Sequence, residues 1–177
     1  MQNMGFGKLA SSEVCFKRKY RWLFFIPDIS QDGVNALPPS KAARPNLSFK
    51  EMDAQHLNET IYYPSKPEWK PITLVLYDIN TNTTDNPVWN WITRVYDPDE
   101  GTWNPSCSPQ AGANGKPGLF KINRCKLEMY DGCGNVLEKW VYEGAWCQQV
   151  EFGDLDMGDS NVSTIDITLR YDRAYID

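Results

Sequence analysis

The stretch Thr164-Ile165-Asp166-Ile167-Thr168-Leu169-Arg170-Tyr171-Asp172 decides the fold class. Ile165, Ile167, Leu169 and Tyr171 fall on one face of an extended chain. Thr164, Asp166, Thr168, Arg170 and Asp172 fall on the other. A period of two held this long is a strand with one dry face and one wet face. Its dry face needs a second layer to cover it.

Working outward, most segments read the same way. Residues 20–26 are too dense in aromatic and aliphatic side chains for an exposed loop, and Pro27 punctuates their end. Ile72–Tyr77 is apolar and β-branched, a buried strand. Leu127 and Met129 alternate with Lys126, Glu128 and Tyr130. The turn Asp131-Gly132-Cys133-Gly134-Asn135 then leads into residues 136–146, which predicts a β-hairpin. One helix is predicted over 86–96. Asp85 can cap it, Pro87 suits its first turn, Val88, Trp91, Ile92 and Val95 form its apolar stripe, and residues 97–101 stop it. The expectation is a mainly β chain forming one domain over 1–177. Two antiparallel sheets pack as a sandwich or partly open barrel, with one flanking α-helix and a long hairpin arm.

Two segments resist inclusion in that core. Residues 37–45 (LPPSKAARP) are turn-rich, and 46–63 carry strand-like residues with no consistent dry face, since Leu47 and Phe49 share a face with Glu51 and Asp53. Residues 37–63 are therefore predicted to be an arm that packs on a neighbouring chain, with Leu37, Arg44, Leu47 and Phe49 as contact candidates. Residues 102–118, rich in Pro, Gly, Asn and Ser, read as a surface loop.

Composition limits the chemistry. The chain has 177 residues, a net charge of -5 and one histidine, His56, which leaves little room for histidine-based catalysis or metal binding. Phosphate-gripping proteins are normally basic, so tight nucleic-acid binding is disfavoured. The charge is also uneven. Residues 1–50 hold eight bases against three acids, a balance of +5, and the remainder holds ten against twenty, a balance of -10. Such asymmetry suits head-to-tail or side-to-side association. No apolar run approaches the roughly 20 residues of a membrane helix. Residues 1–10 lack the pattern of a signal peptide. Five cysteines without a C-x-x-C pair read as free thiols in a reducing compartment.

No catalytic, cofactor or metal residue is predicted. Gly132-Cys133-Gly134 lacks the third glycine of a dinucleotide fingerprint, and Gly115-Lys116 lacks the spacing and the Ser or Thr of a phosphate loop. The run 154–159 has its glycine one position early for a calcium loop and no closing glutamate. No G-x-S-x-G elbow accompanies His56. Seven tryptophans keep a carbohydrate-binding sandwich in view, with core packing as their ordinary use. The cluster Lys17-Arg18-Lys19-Arg21, interleaved with Phe16, Tyr20 and Trp22, is open to three readings. It is a nucleic-acid strip, a charge-protected strand edge, or a contact for an acidic partner.

The order of elements resembles the tube proteins of bacteriophage tails, especially contractile ones. The resemblance is carried by the aromatic strand 20–26; by Leu37-Pro38-Pro39 through Ala43-Arg44-Pro45; and by Pro67-Glu68-Trp69 leading into residues 72–78. The hairpin 127–144 with Gly134-Asn135-Val136-Leu137-Glu138, and Phe152-Gly153-Asp154-Leu155-Asp156 followed by residues 165–174, complete it. It implies a non-enzymatic subunit without cofactor, found in the virion tail after assembly in the host cytoplasm. Homohexameric rings would stack into a tube through which DNA passes without tight binding. Tail sheath, tape-measure and baseplate proteins would be partners, with no membrane. Tube-like baseplate or terminator proteins and secretion-system tubes are similar. Within that reading Glu51, Asp53, Glu59, Asp166 and Asp172 are candidates for the lumen wall, where acidic charge would repel phosphates.

Overall fold

The computed structural model describes residues 16–27, 30–31, 34–35, 37–79, 86–93, 95–103, 121 and 124–177. Its elements are β1 (Trp22–Phe25), β2 (Ser30–Gln31), β3 (Val34–Asn35), β4 (Pro39–Ala42), β5 (Asn46–His56), β6 (Glu59–Lys70), β7 (Ile72–Tyr77), α1 (Pro87–Thr93), β8 (Tyr96–Asp97), β9 (Thr102–Trp103), β10 (Cys125–Tyr130), β11 (Val136–Glu143), β12 (Trp146–Glu151), β13 (Thr164–Arg170) and β14 (Arg173–Ile176). Two four-stranded sheets, ordered β1-β10-β11-β14 and β12-β13-β7-β4, enclose one core. β5-β6, β2-β3 and β8-β9 form separate two-stranded ribbons. All the pairings are antiparallel, and none of these sheets closes into a barrel. The described residues thus form a β-sandwich with one helix.

The sequence periodicity explains the second sheet directly. Ile165, Ile167 and Leu169 stand opposite Leu76, Leu74 and Ile72, and all six are buried. A register slip of one residue would turn both rows into water, so this pairing is strongly specified. Phe24, Leu127, Cys125 and Tyr142 supply the facing surface from the first sheet. At the centre the Tyr142 and Tyr171 rings meet edge-to-face at 5.1 Å, with Phe24 5.6 Å from Tyr142. The sheets are joined at two short corners, residues 144–145 and 171–172. Gly144 sits at φ +63, and a Cβ there would lie 2.2 Å from an Asp172 carboxylate oxygen, so any other residue would be strained and would displace the Asp172 side chain.

The helix is shorter than the expected 86–96, and its cap is Asn86. The Asn86 Oδ1 accepts from the backbone N–H of Val88 at 2.9 Å and Trp89 at 3.3 Å. Asp85, the expected cap, lies outside the described residues. Val88 and Trp91 enter the core. Of residues 97–101, expected to stop the helix, Asp97 belongs to β8 and 98–101 form the turn of the β8-β9 ribbon. Of the expected loop 102–118, Thr102 and Trp103 are strand, and 104–118 lie outside the described residues.

The predicted arm is displaced along the chain. Pro39–Ala42 pairs with β7 as an edge of the second sheet, and the free hairpin runs from Asn46 to Lys70 rather than 37–63. Leu37, expected on the arm, is 1% exposed within the chain's own core. Its neighbours Pro38 and Pro39 read as a turn, whereas the contact that buries Leu37 is tertiary.

The Tyr142 hydroxyl is buried with no hydrogen-bond partner among the described residues, and burial drives its pKa far upward. An unsatisfied buried hydroxyl costs about 1–3 kcal/mol. Tyr142→Phe keeps the ring contacts and is expected to raise the urea unfolding free energy by about 1 kcal/mol. A decrease would show that the hydroxyl has a partner.

Candidate assembly surface

β5 and β6, of eleven and twelve residues, form a ribbon that extends roughly 35 Å from its root at about 3.3 Å per residue. Trp69 holds that root, partly buried against the core and 5.9 Å from the Tyr171 ring. Beyond it nearly every residue on both faces is exposed. Phe49, Met52, Ile61, Tyr62, Tyr63 and Leu57 are all large apolar groups in water. Leu57, at the tip, is 93% exposed and holds φ 54. A left-handed leucine costs roughly 1–2 kcal/mol relative to its ordinary conformation. An isolated two-stranded hairpin is only marginally stable in water, and exposed apolar groups in this number make the ribbon a candidate interaction surface.

The root is braced by charge. Glu138 of β11 is nearly buried, accepts hydrogen bonds from Lys17 and the Trp140 indole, and lies 4.0 Å from the Arg44 guanidinium. Arg44 also contacts the Met129 sulfur at 2.7 Å. The Lys17 hydrogen bond, aided by Trp140 and the Arg44 charge, holds the Glu138 carboxyl below its ordinary range against the opposing effect of burial. Arg44, a candidate for contacts between subunits, is thus engaged inside its own chain. Leu47 and Phe49 are exposed on the ribbon.

The five acidic candidates do not form one cluster. Glu51, Asp53 and Glu59 are exposed on the ribbon. Asp166 lies on the wet face of β13, directly opposite Glu151 of β12 on one side and Val75 on the other. Like charges facing each other across a strand pair are unfavourable within one chain. Asp172 is in the corner beside Gly144, with both carboxylate oxygens 2.8 Å from the Lys121 ammonium. Sequence reasoning missed Glu151, because its position opposite Asp166 depends on strand pairing across a loop.

The tryptophans partly gather. Trp91, Trp103 and Trp146, with Ile92, Val95, Tyr96 and Cys147, line a cleft of about 450 Å³ beside the helix. Its lining is almost wholly apolar, and burial pushes the Cys147 thiol up to about 11, so it is a poor nucleophile. Sugars need polar partners for their hydroxyls, which this cleft does not present among the described residues. Those residues also hold no group of three or more His, Cys, Asp or Glu able to bind a metal ion, and no helix long and apolar enough to cross a membrane.

No family model matches the sequence, and no curated protein matches it. Solved structures do share its fold over nearly the full chain. The anti-feeding prophage cap, a tube-terminating cap, aligns with a TM-score of 0.68 at 16% identity, covering 96% of each chain. The sheath/tube terminator of the PVC extracellular contractile injection system aligns at 0.67 and 14%, covering 94% of this chain and 99% of that one. A chain of the PVC sheath–tube complex aligns at 0.66 and 13%, covering 98% and 97%. The fold is therefore the one found in tube and terminator proteins of contractile injection systems.

Glu138 sets a measurable acid limb. Its folded pKa is below the ordinary 4.5, so its stabilisation is complete above that value and is lost as pH falls through the folded pKa. Glu138→Gln should lower the urea midpoint at pH 7 and flatten its decline between roughly pH 5 and pH 3. Parallel wild-type and variant curves across that range would show no linkage.

Proposed function

We propose that this chain is a structural, non-enzymatic subunit of a contractile tail tube that forms homohexameric rings stacked into a channel for DNA. The observation that carries this reading is the ribbon β5-β6, exposed on both faces along its length and ending in a strained, water-facing leucine. A chain that leaves this much apolar surface uncovered has its missing layer in another subunit. The full-length fold likeness to tube-terminating caps and tube-bearing complexes supports the same conclusion. The product would be a tail particle assembled in the host cytoplasm, with sheath, tape-measure and baseplate proteins as partners.

A second reading is favoured by the cap and terminator likenesses: a single ring that ends the tube rather than building its length. Negative-stain electron microscopy of the purified chain separates the two. Tubes of many rings support the first reading, and isolated rings support the second. Monomers at high concentration would overturn both. Replacing residues 52–63 with a two-residue Asn-Gly turn, which joins Glu51 to its partner Pro64, should leave the sandwich folded, with a similar near-ultraviolet circular dichroism signal, and abolish rings. Rings formed without the tip would remove the ribbon from the interface.

The acids fit a channel that must not hold its cargo. Glu51, Asp53, Glu59 and Asp166, with Glu151 beside Asp166, would repel DNA phosphates from the wall. Asp172 contributes less, since Lys121 neutralises it. Replacing Glu51, Asp53, Glu59 and Asp166 singly with lysine should slow DNA ejection from assembled particles at low salt while rings still form. Unchanged ejection across the set would remove these residues from the lumen.

A further inference from the structure

We propose that residues 152–162 of one subunit dock on residues 16–21 of the next through complementary charge and apolar groups, making a head-to-tail interface. This rests on the reading that the chain assembles with itself.

The donor surface is residues 152–162 between β12 and β13, all of them exposed. It has a defined shape. Phe152 meets the Trp89 ring edge-on at 6.0 Å. Gly153 takes φ +73, where a Cβ would lie 2.9 Å from the Thr164 carbonyl. The Asp156 carboxylate accepts from the Gly158 N–H at 2.8 Å and the Asp159 carboxylate from the Asn161 N–H at 3.0 Å. This held segment nevertheless presents Leu155 at 90% exposure and Met157 at 109%. Around them stand Glu151, Asp154, Asp156 and Asp159, with no basic residue from 151 to 163. Apolar knobs ringed by one sign of charge fit an aromatic surface ringed by the opposite sign.

Such a surface exists on the same chain, at the entry to β1 in the other sheet. Phe16 and Tyr20 are 62% and 72% exposed. Lys17 is committed to Glu138, and Arg21 lies over the Tyr20 ring at 5.4 Å. Arg18 and Lys19 are exposed and make no ion pair among the described residues. No hydrogen bond or ion pair joins the two surfaces within the chain among those residues. Two different patches that complement each other and adjoin different sheets can each be used on a different neighbour. They join subunits head to tail, and such contacts close into rings or extend as stacks. Leu155 and Met157 would pack on the Phe16 and Tyr20 rings, a contact that suits a thioether, while Arg18 and Lys19 take the carboxylates.

The test is a charge-reversal cycle on the full chain, with ring population followed by mass photometry across protein and salt concentrations. Lys19→Glu and Asp154→Lys alone should each weaken ring formation about tenfold at low salt, and the two together should restore it to within about threefold of wild type. Asp154→Asn/Asp156→Asn/Asp159→Asn keeps the side-chain acceptors of the turns while removing three charges, and should weaken rings and reduce their salt dependence. Wild-type rings that are indifferent to the single reversals, or not restored by the pair, overturn this interface and leave the assembly reading intact. A wild-type chain that stays monomeric overturns both.

Discussion

The structure depends on the burial of one row of side chains, Ile165, Ile167 and Leu169 of β13 against Leu76, Leu74 and Ile72 of β7, beneath the first sheet. This row sets the register of the second sheet. It also fixes where the chain must turn back, at residues 144–145 and 171–172, to bring β11 and β14 over it. The aromatic centre of Phe24, Tyr142 and Tyr171 follows from those two corners, and Trp69 at the ribbon root packs on the same tyrosine. A two-layer sandwich of this kind covers the inner face of each sheet and nothing more. The ribbon β5-β6 has no place in either layer, so its apolar residues stay in water in the single chain.

Charge follows the same division between inside and outside. The basic N-terminal part of the chain is not a uniform strip. Lys17 and Arg44 are drawn onto Glu138, where they lower its pKa and brace the start of the ribbon. Arg18 and Lys19 remain facing water, and the acidic excess is concentrated on residues 151–159, whereas the ribbon sets four acids against three bases and the wet face of β13 sets Asp166 against Arg170. A net charge of -5 is therefore the sum of opposed surfaces. Opposed fields of this kind steer complementary surfaces toward one another.

Much of the fold was legible because periodicity reports local exposure. β13 begins where its alternation begins and β7 where its apolar run begins, and the β10-β11 hairpin turns on Gly134 at φ +91 as its sequence requires. What was misplaced depended on distant partners or on competition among neighbours. Asn86 caps the helix although Asp85 beside it is an equally good cap residue, and one-residue choices of this kind rest on backbone geometry. Leu37 reads as part of a proline-rich arm because nothing local shows that Pro39–Ala42 pairs with β7. The mixed polarity of residues 46–63 did reveal a segment foreign to the core, but it could not say that Lys70 was its end.

The sequence alone determined a half-wet strand, a sandwich to cover it, an unplaced arm and a chemistry without histidine clusters or nucleophile motifs, because these follow from residue type and spacing. Tertiary structure decided which residues serve which surface. It placed Glu151 opposite Asp166 and tied Asp172 to Lys121. It buried Leu37, spent Lys17 and Arg44 on Glu138, and left Leu155 and Met157 pointing into water. These outcomes depend on pairing register and chain reversal over long sequence separations, where the local pattern carries no information.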